Sequence, residues 1–183
     1  MALLYSEMVP LGVQAHDFSL KGIDDEMHSL ADYSKKSVLV IVFMCNHCPY
    51  VQAVWQRLNE IQSDYEDRRV QLIGINPNAV NPNYPEDNFE EMKKAPEEFE
   101  MNFPYLIDED QSVARAYGAV CTPDIFVYDS DRELAYRGRI DDNWQDEGSV
   151  SKWDLREALD VILDGEEVSS DQYPCMGCSI KWL

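Results

Sequence analysis

The chain carries two cysteines three positions apart in Cys45-Asn46-His47-Cys48, followed directly by Pro49. Two intervening residues let the sulfurs close a small disulfide ring and open it again, and the same spacing also serves zinc. The thiolate is the reactive form of cysteine, and it is favoured by the N–H groups and positive end of a helix N-terminus. His47, when protonated, adds a second positive influence on Cys45. A second pair with the same spacing, Cys175 and Cys178, lies in "PCMGC". It could relay electrons to the first pair, close its own disulfide, join a zinc site or simply pack. Its position near the end of the chain suits a mobile arm. Cys121 directly precedes Thr122-Pro123. It is read either as a third redox thiol or as a small buried residue. X-Pro bonds are the usual sites of cis peptides, although Pro123 also fits an ordinary loop proline at a strand start.

The elements around the first pair favour redox chemistry over metal binding. "SVLVIVF" (37–43) is a continuous apolar, β-branched run, which predicts a strand buried on both faces. After Cys48 the period changes. Val51, Val54, Trp55, Leu58, Ile61 and Tyr65 recur at helical spacing, and Pro49 suits the first helical turn. Cys45 should therefore end a buried strand and Cys48 should begin a helix. A zinc knuckle normally sits in a glycine-containing loop away from such a strand.

Further along, "VQLIGIN" (70–76) reads as a strand and 76–85 as a turn-rich loop. Residues 86–101 read as a helix interrupted near Pro96. "FPYLIDED" supplies a short strand, and "QSVARAYG" a short helix stopped by Gly118. Residues 124–129 and 133–140 form a predicted hairpin, with Arg137 and Arg139 facing solvent or the acidic loop that follows. That loop, with Asp141, Asp142, Asp146 and Glu147, reads as solvated and lacks a calcium-loop pattern. A closing helix is expected over 150–165, capped by Ser151, with Leu155, Ala158, Leu159, Ile162 and Leu163 inward. His16 and His28 are isolated and read as structural or surface residues. The order is that of an α/β layer design with a mixed sheet.

The chain has 183 residues and 45% hydrophobic content, enough for one domain spanning 1–183, with 170–183 as a C-terminal tail. The net charge of −20 disfavours nucleic acid as a partner and favours a soluble acidic surface. No apolar run is long enough to span a membrane and the start lacks a secretory pattern, so a cytoplasmic setting is expected. There, paired cysteines are more often catalytic or metal-binding than structural.

Taken together, Cys45-Asn46-His47-Cys48 at a strand-to-helix junction, with Thr122-Pro123 ahead of a later hairpin, resembles the thioredoxin superfamily. The tract "FPYLIDEDQSVARAYGAVCTPDIFVYDSDRELAYRGRIDD" is similar to the branch containing peroxiredoxins and ResA/TlpA-type thiol–disulfide oxidoreductases. The tail "GCSIKWL" resembles the ending of a bacterial group of redoxin or AhpC/TSA-like proteins. The resemblance implies a thioredoxin fold with an N-terminal extension and an insertion after the second core strand. It also implies a cis Thr122-Pro123 bond packed beside Cys45 and Cys48.

The implied site residues are Cys45, Cys48, His47, Thr122 and Pro123, with Cys121, Cys175 and Cys178 as auxiliary redox candidates. The implied activity is disulfide exchange with a disulfide-containing protein or small thiol, fed by an external dithiol, with neither cofactor nor metal. Several positions separate this chain from peroxiredoxins, among them Thr122-Pro123 where those proteins usually supply an active-site arginine. Their P-x-x-x-T-x-x-C signature, aligned on Cys45, places Val38 and Val42 at the proline and threonine positions. Thiol peroxidase is therefore the alternative activity, and a zinc- or copper-binding protein of the same fold is the third reading.

Overall fold

The computed structural model describes residues 3–183. In chain order the elements are β1 (Leu3–Tyr5), β2 (Ser19–Gly22), β3 (Met27–Ser29), β4 (Val38–Phe43), α1 (Pro49–Tyr65), β5 (Val70–Asn76), α2 (Phe89–Met92) and α3 (Ala95–Glu98). Then come β6 (Tyr105–Ile107), α4 (Ser112–Tyr117), β7 (Cys121–Thr122), β8 (Asp124–Tyr128), β9 (Leu134–Arg137), α5 (Asp154–Leu163) and β10 (Met176–Ser179). Seven strands form the main sheet in the order β3-β2-β6-β5-β4-β8-β9. The β4–β5 and β5–β6 pairs are parallel, and the others are antiparallel. This is the mixed α/β architecture expected from the sequence.

Strand β4 is central, and its alternation explains why all its residues are apolar. Val38, Val40 and Val42 pack on one face with Val51, Val54, Trp55 and Leu58 of α1 and with Leu155 and Leu159 of α5. Leu39, Ile41 and Phe43 pack on the other face with Val113, Ala114 and Tyr117 of α4. Each fully buried aliphatic side chain of this kind contributes about 1.5–3 kcal/mol. Because β4 is clamped on both faces, the residues that follow it are placed with little freedom. Gly118, at φ 67°, ends α4 in the left-handed region that favours glycine.

Several expectations need correction. The helical stretch at 86–101 becomes two single turns, with Pro96 inside the first turn of α3 rather than at the break. Ser151 does not cap the closing helix. That helix begins at Asp154 after Trp153, and Ser151 instead bonds the Asp142 carboxylate through its hydroxyl and, at 2.9 Å, its N–H. Arg137 faces neither solvent nor the acidic loop. It is fully buried and paired at 3.2 Å with the equally buried Asp124. The acidic loop is not wholly solvated either, because Asp141 is buried on Arg57 of α1 at 2.7 Å.

The tail departs furthest from expectation. It is no mobile arm, since β10 lies between β1 and β7 in a second, three-stranded sheet. Beyond β10, Ile180 N–H donates to the Val120 carbonyl at 3.0 Å and Lys181 N–H to Asn78 at 2.9 Å. Gln111 and Asn81 amides hold the Lys181 carbonyl at 2.9 and 3.2 Å. Among the described residues, no helix is long and apolar enough to cross a membrane.

Candidate redox site

Strand β4 ends at Phe43, and the Met44 N–H still bonds β5 through the Ile75 carbonyl at 2.9 Å. Cys45 therefore leaves the sheet at a fixed point. Cys48 occupies the N-cap of α1 with Pro49 in the first turn. That proline removes one N–H that would otherwise be unsatisfied, and the Val51 N–H turns to the Cys48 sulfur. Between the cysteines, Asn46 is anchored by the Tyr105 hydroxyl at 2.9 Å and by the Gln52 amide, which donates to its carbonyl at 2.8 Å.

Thr122 closes the site from across the sheet, and its bond to Pro123 is cis. Its Oγ1 lies 3.5 Å from the Cys45 sulfur, and its carbonyl lies 3.0 Å from the Cys48 sulfur. Asp124, directly after Pro123, is held by the Ser6 hydroxyl at 2.7 Å and by Arg137, so the Thr122 turn rests on a buried ion pair.

A residue outside the sequence expectations joins them. Asp87, from the insertion between β5 and β6, accepts the His47 backbone N–H at 3.0 Å and bonds His47 Nδ1 with its other oxygen. Asp87 is fully buried, its carbonyl is held by Asn76 at 3.1 Å, and His47 stacks on Tyr84 at 4.8 Å. His47 Nδ1 is also 3.7 Å from the Cys45 sulfur. Nothing local marks Asp87 among the 35 acidic residues of the chain. The sequence places it in the helical stretch expected over 86–101, with no link to the motif.

The electrostatics differ from the expected thiolate at Cys45. Burial, the hydrogen bond it shares with Cys48 and the Asp87 carboxylate all push the Cys45 thiol up. Cys48 is brought down to about 5, foremost by the hydrogen bond from Cys45, with the Thr122 side chain and the Val51 N–H adding to it. The charge of the reduced pair thus settles on Cys48, foremost because Cys45 directs its hydrogen bond there, with the Val51 N–H of the helix start adding to it. The 3.0 Å contact with the Thr122 carbonyl is a hydrogen bond while Cys48 holds its proton, and ionisation removes that bond.

The remaining cysteines separate. Cys178 pairs in register with Thr122, and both its N–H and its thiol bond Cys48. Cys175 is buried away from the pair, donating to the Gly138 carbonyl at 3.0 Å. Cys121 is likewise buried, and its sulfur turns to Pro123 O and Ser6 at 3.5 and 3.9 Å. Burial raises both thiols. Cys45, His47 and Asp87 offer three donor atoms within 4.8 Å of one another, a sulfur, nitrogen and oxygen set suited to zinc or copper. Neither Cys45 nor Cys48 is exposed at the surface. A cavity of about 210 Å³ opens beside the tail instead, lined in part by Tyr50, Pro123, Trp144 and Met176.

The crystal structure of an uncharacterized conserved protein from Geobacillus kaustophilus superposes with a TM-score of 0.94 at 43% identity, covering 100% of this chain and 97% of that one. A hypothetical protein from Sinorhizobium meliloti 1021 superposes at 0.92 with 37% identity, covering 98% of each. In sequence, the thiol-disulfide oxidoreductase ResA of Geobacillus thermodenitrificans is 29% identical over 154 residues, 84% of this chain and 79% of its own length. That name is of the oxidoreductase class that the thiol pair predicts. The AhpC/TSA family matches residues 11–137, and the chain belongs to that family.

Proposed function

We propose that the protein is a thiol–disulfide oxidoreductase in which Cys45 and Cys48 exchange a disulfide with a protein or small-molecule substrate. The observation that carries this reading is the pair itself, two buried cysteines held against Thr122 where a clamped strand meets a helix N-terminus. Cys45 attacks a substrate sulfur as its proton passes along the hydrogen bond to Cys48. The substrate S–S bond breaks, and the departing sulfur leaves as a thiolate that takes up a proton. Cys48 then attacks the Cys45 sulfur, releases the second substrate thiol and leaves a Cys45–Cys48 disulfide. An external dithiol restores the pair by the reverse exchange. Thr122 packs both sulfurs, and the His47–Asp87 contact fixes the loop between them.

Family membership supports a second reading as a thiol peroxidase. Peroxide would convert Cys45 to a sulfenic acid, and Cys48 would condense with it, releasing water. Val38 and Val42 favour disulfides instead. Both are core residues of β4 at 1% and 0% exposure and offer no hydrogen-bonding side chain. The Cys45, His47 and Asp87 donor set supports a third reading, metal binding, for which stoichiometric zinc or copper in the purified reduced protein is the readout.

The deciding assay supplies an external dithiol and compares reduction of a peptide disulfide with consumption of hydrogen peroxide. Disulfide turnover that depends on both cysteines, with slow peroxide consumption, is expected. Rapid peroxide consumption that is lost in Cys45→Ser overturns the ranking.

A further inference from the structure

The protein's own tail packs directly on the residue that touches Cys45 and Cys48. Strand β10 pairs with β7 so that Cys178 stands opposite Thr122, the residue whose side chain and carbonyl touch Cys45 and Cys48. The approach leaves no room for a side chain at Gly177. A Cβ there would lie 2.1 Å from the Thr122 carbonyl oxygen and 2.6 Å from its carbon, both backbone atoms that cannot move aside cheaply. On the other side of β10, Leu3, Leu4 and Tyr5 pair with Cys178, Gly177 and Met176. The tail is thus an extended segment held on both edges, with its cysteine delivered to the redox pair.

The contacts around Cys48 give that delivery a chemical meaning. Cys48 is hydrogen-bonded to two thiols, Cys45 from its own loop and Cys178 from the tail. It is the middle sulfur of three, and the Cys178 N–H adds a further donor. A sulfur that neighbours two others can exchange a disulfide from one to the other.

We propose that Cys178 is a third redox thiol and that the tail is the enzyme's internal exchange partner. Once a substrate disulfide has oxidised the pair, as the reading above requires, the Cys178 sulfur attacks Cys48. The Cys48–Cys178 bond forms, the Cys45–Cys48 bond breaks, and the proton of Cys178 passes to the departing Cys45 sulfur. One disulfide is exchanged for another, so the step needs no further oxidant. Cys45 regains its thiol, and the oxidising equivalent resides on the tail, which is then fastened covalently over the site. Cys175 takes no part, because its sulfur is committed to the Gly138 carbonyl.

The test uses the full chain with Cys45→Ser, treated with oxidised glutathione as the disulfide, quenched in acid and mapped by peptide mass. The expected product is a Cys48–Cys178 disulfide in most molecules. In Cys45→Ser/Cys178→Ser, Cys48 should instead retain a glutathione adduct. Finding Cys48 glutathionylated and Cys178 still a thiol in the folded single variant overturns the proposal.

Gly177→Ala provides the independent steric check. It should displace the tail, speed alkylation of Cys48 by about tenfold or more and reduce the Cys48–Cys178 product. Unchanged alkylation and an unchanged product overturn the assignment of the tail as the cover. Wild-type turnover of a peptide disulfide separates this proposal from the functional reading. Turnover without the Cys48–Cys178 product in Cys45→Ser removes the tail proposal alone, whereas the product without turnover removes the functional reading alone.

Discussion

The chain contains the same cysteine spacing twice, and the two copies behave oppositely. Cys45 and Cys48 straddle the start of α1, where the backbone turns and brings residues three apart onto one side. Their sulfurs interact with each other, which pushes the Cys45 thiol up and the Cys48 thiol down. Cys175 and Cys178 lie along an extended segment entering β10. There, residues three apart point to opposite faces and are separated by about 10 Å of strand rise. One sulfur bonds Gly138 and the other bonds Cys48. Spacing is therefore not chemistry in itself. A helix start converts two intervening residues into a dithiol, whereas a strand converts them into two unrelated cysteines, one structural and one delivered elsewhere.

The largest expected effect tests that contrast in activity. Cys45→Ser or Cys48→Ser should lower turnover of a peptide disulfide by about a thousandfold or more, whereas Cys175→Ser should leave it within about twofold. A comparable loss in Cys175→Ser would break the comparison. Next in size is the support beneath Thr122, which both copies touch. Arg137→Ala leaves Asp124 buried without its cation and should cost about 3–5 kcal/mol, read by denaturant unfolding. Little change would mean that the Thr122 turn holds without the Asp124 pair.

A smaller effect concerns the loop inside the first copy. Asp87→Asn removes the carboxylate that pushes Cys45 up, so the Cys45 pKa should fall. Turnover should change by about tenfold as His47 loses its anchor. Thiolate absorbance in a Cys48→Ser background reads the first, and steady-state kinetics the second.

The pH dependence is the finest test. In the reduced protein, thiolate absorbance should develop as pH rises through about 5 and be absent there in Cys48→Ser. Since this pKa is depressed on folding, the Cys48 thiolate contributes stability that is full above the unfolded thiol value. That contribution is lost as pH falls through about 5. Cys175→Ser should leave the absorbance curve unchanged, because burial pushes that thiol up. A low-pH step surviving in Cys48→Ser would move the charge to another sulfur.

Much of the scaffold was legible because its signals are local. The apolar run of β4 and the helical spacing of α1 from Val51 to Tyr65 match the observed elements, and "VQLIGIN" coincides with β5. The short strands β1, β2, β3 and β10 were not, since each has three or four residues and a burial pattern set by neighbours rather than by its own period. Arg137 shows the same limit. Alternation along β9 places it on a face, but only the partner Asp124 makes that face habitable for a cation.

The amino-acid sequence alone determined that Cys45 directly follows a buried strand and that Cys48 opens a helix. Both outcomes follow from hydrophobic period, β-branching and Pro49, which act over a few residues. Tertiary structure alone decided what surrounds those sulfurs. Thr122 reaches Cys48 across a sequence separation of 74 residues and Asp87 reaches His47 across 40, through sheet pairing and buried hydrogen bonds that leave no periodic trace. It also decided that the charge rests on Cys48 and that Cys178 touches it. Both depend on which donors the folded backbone brings within reach of one sulfur.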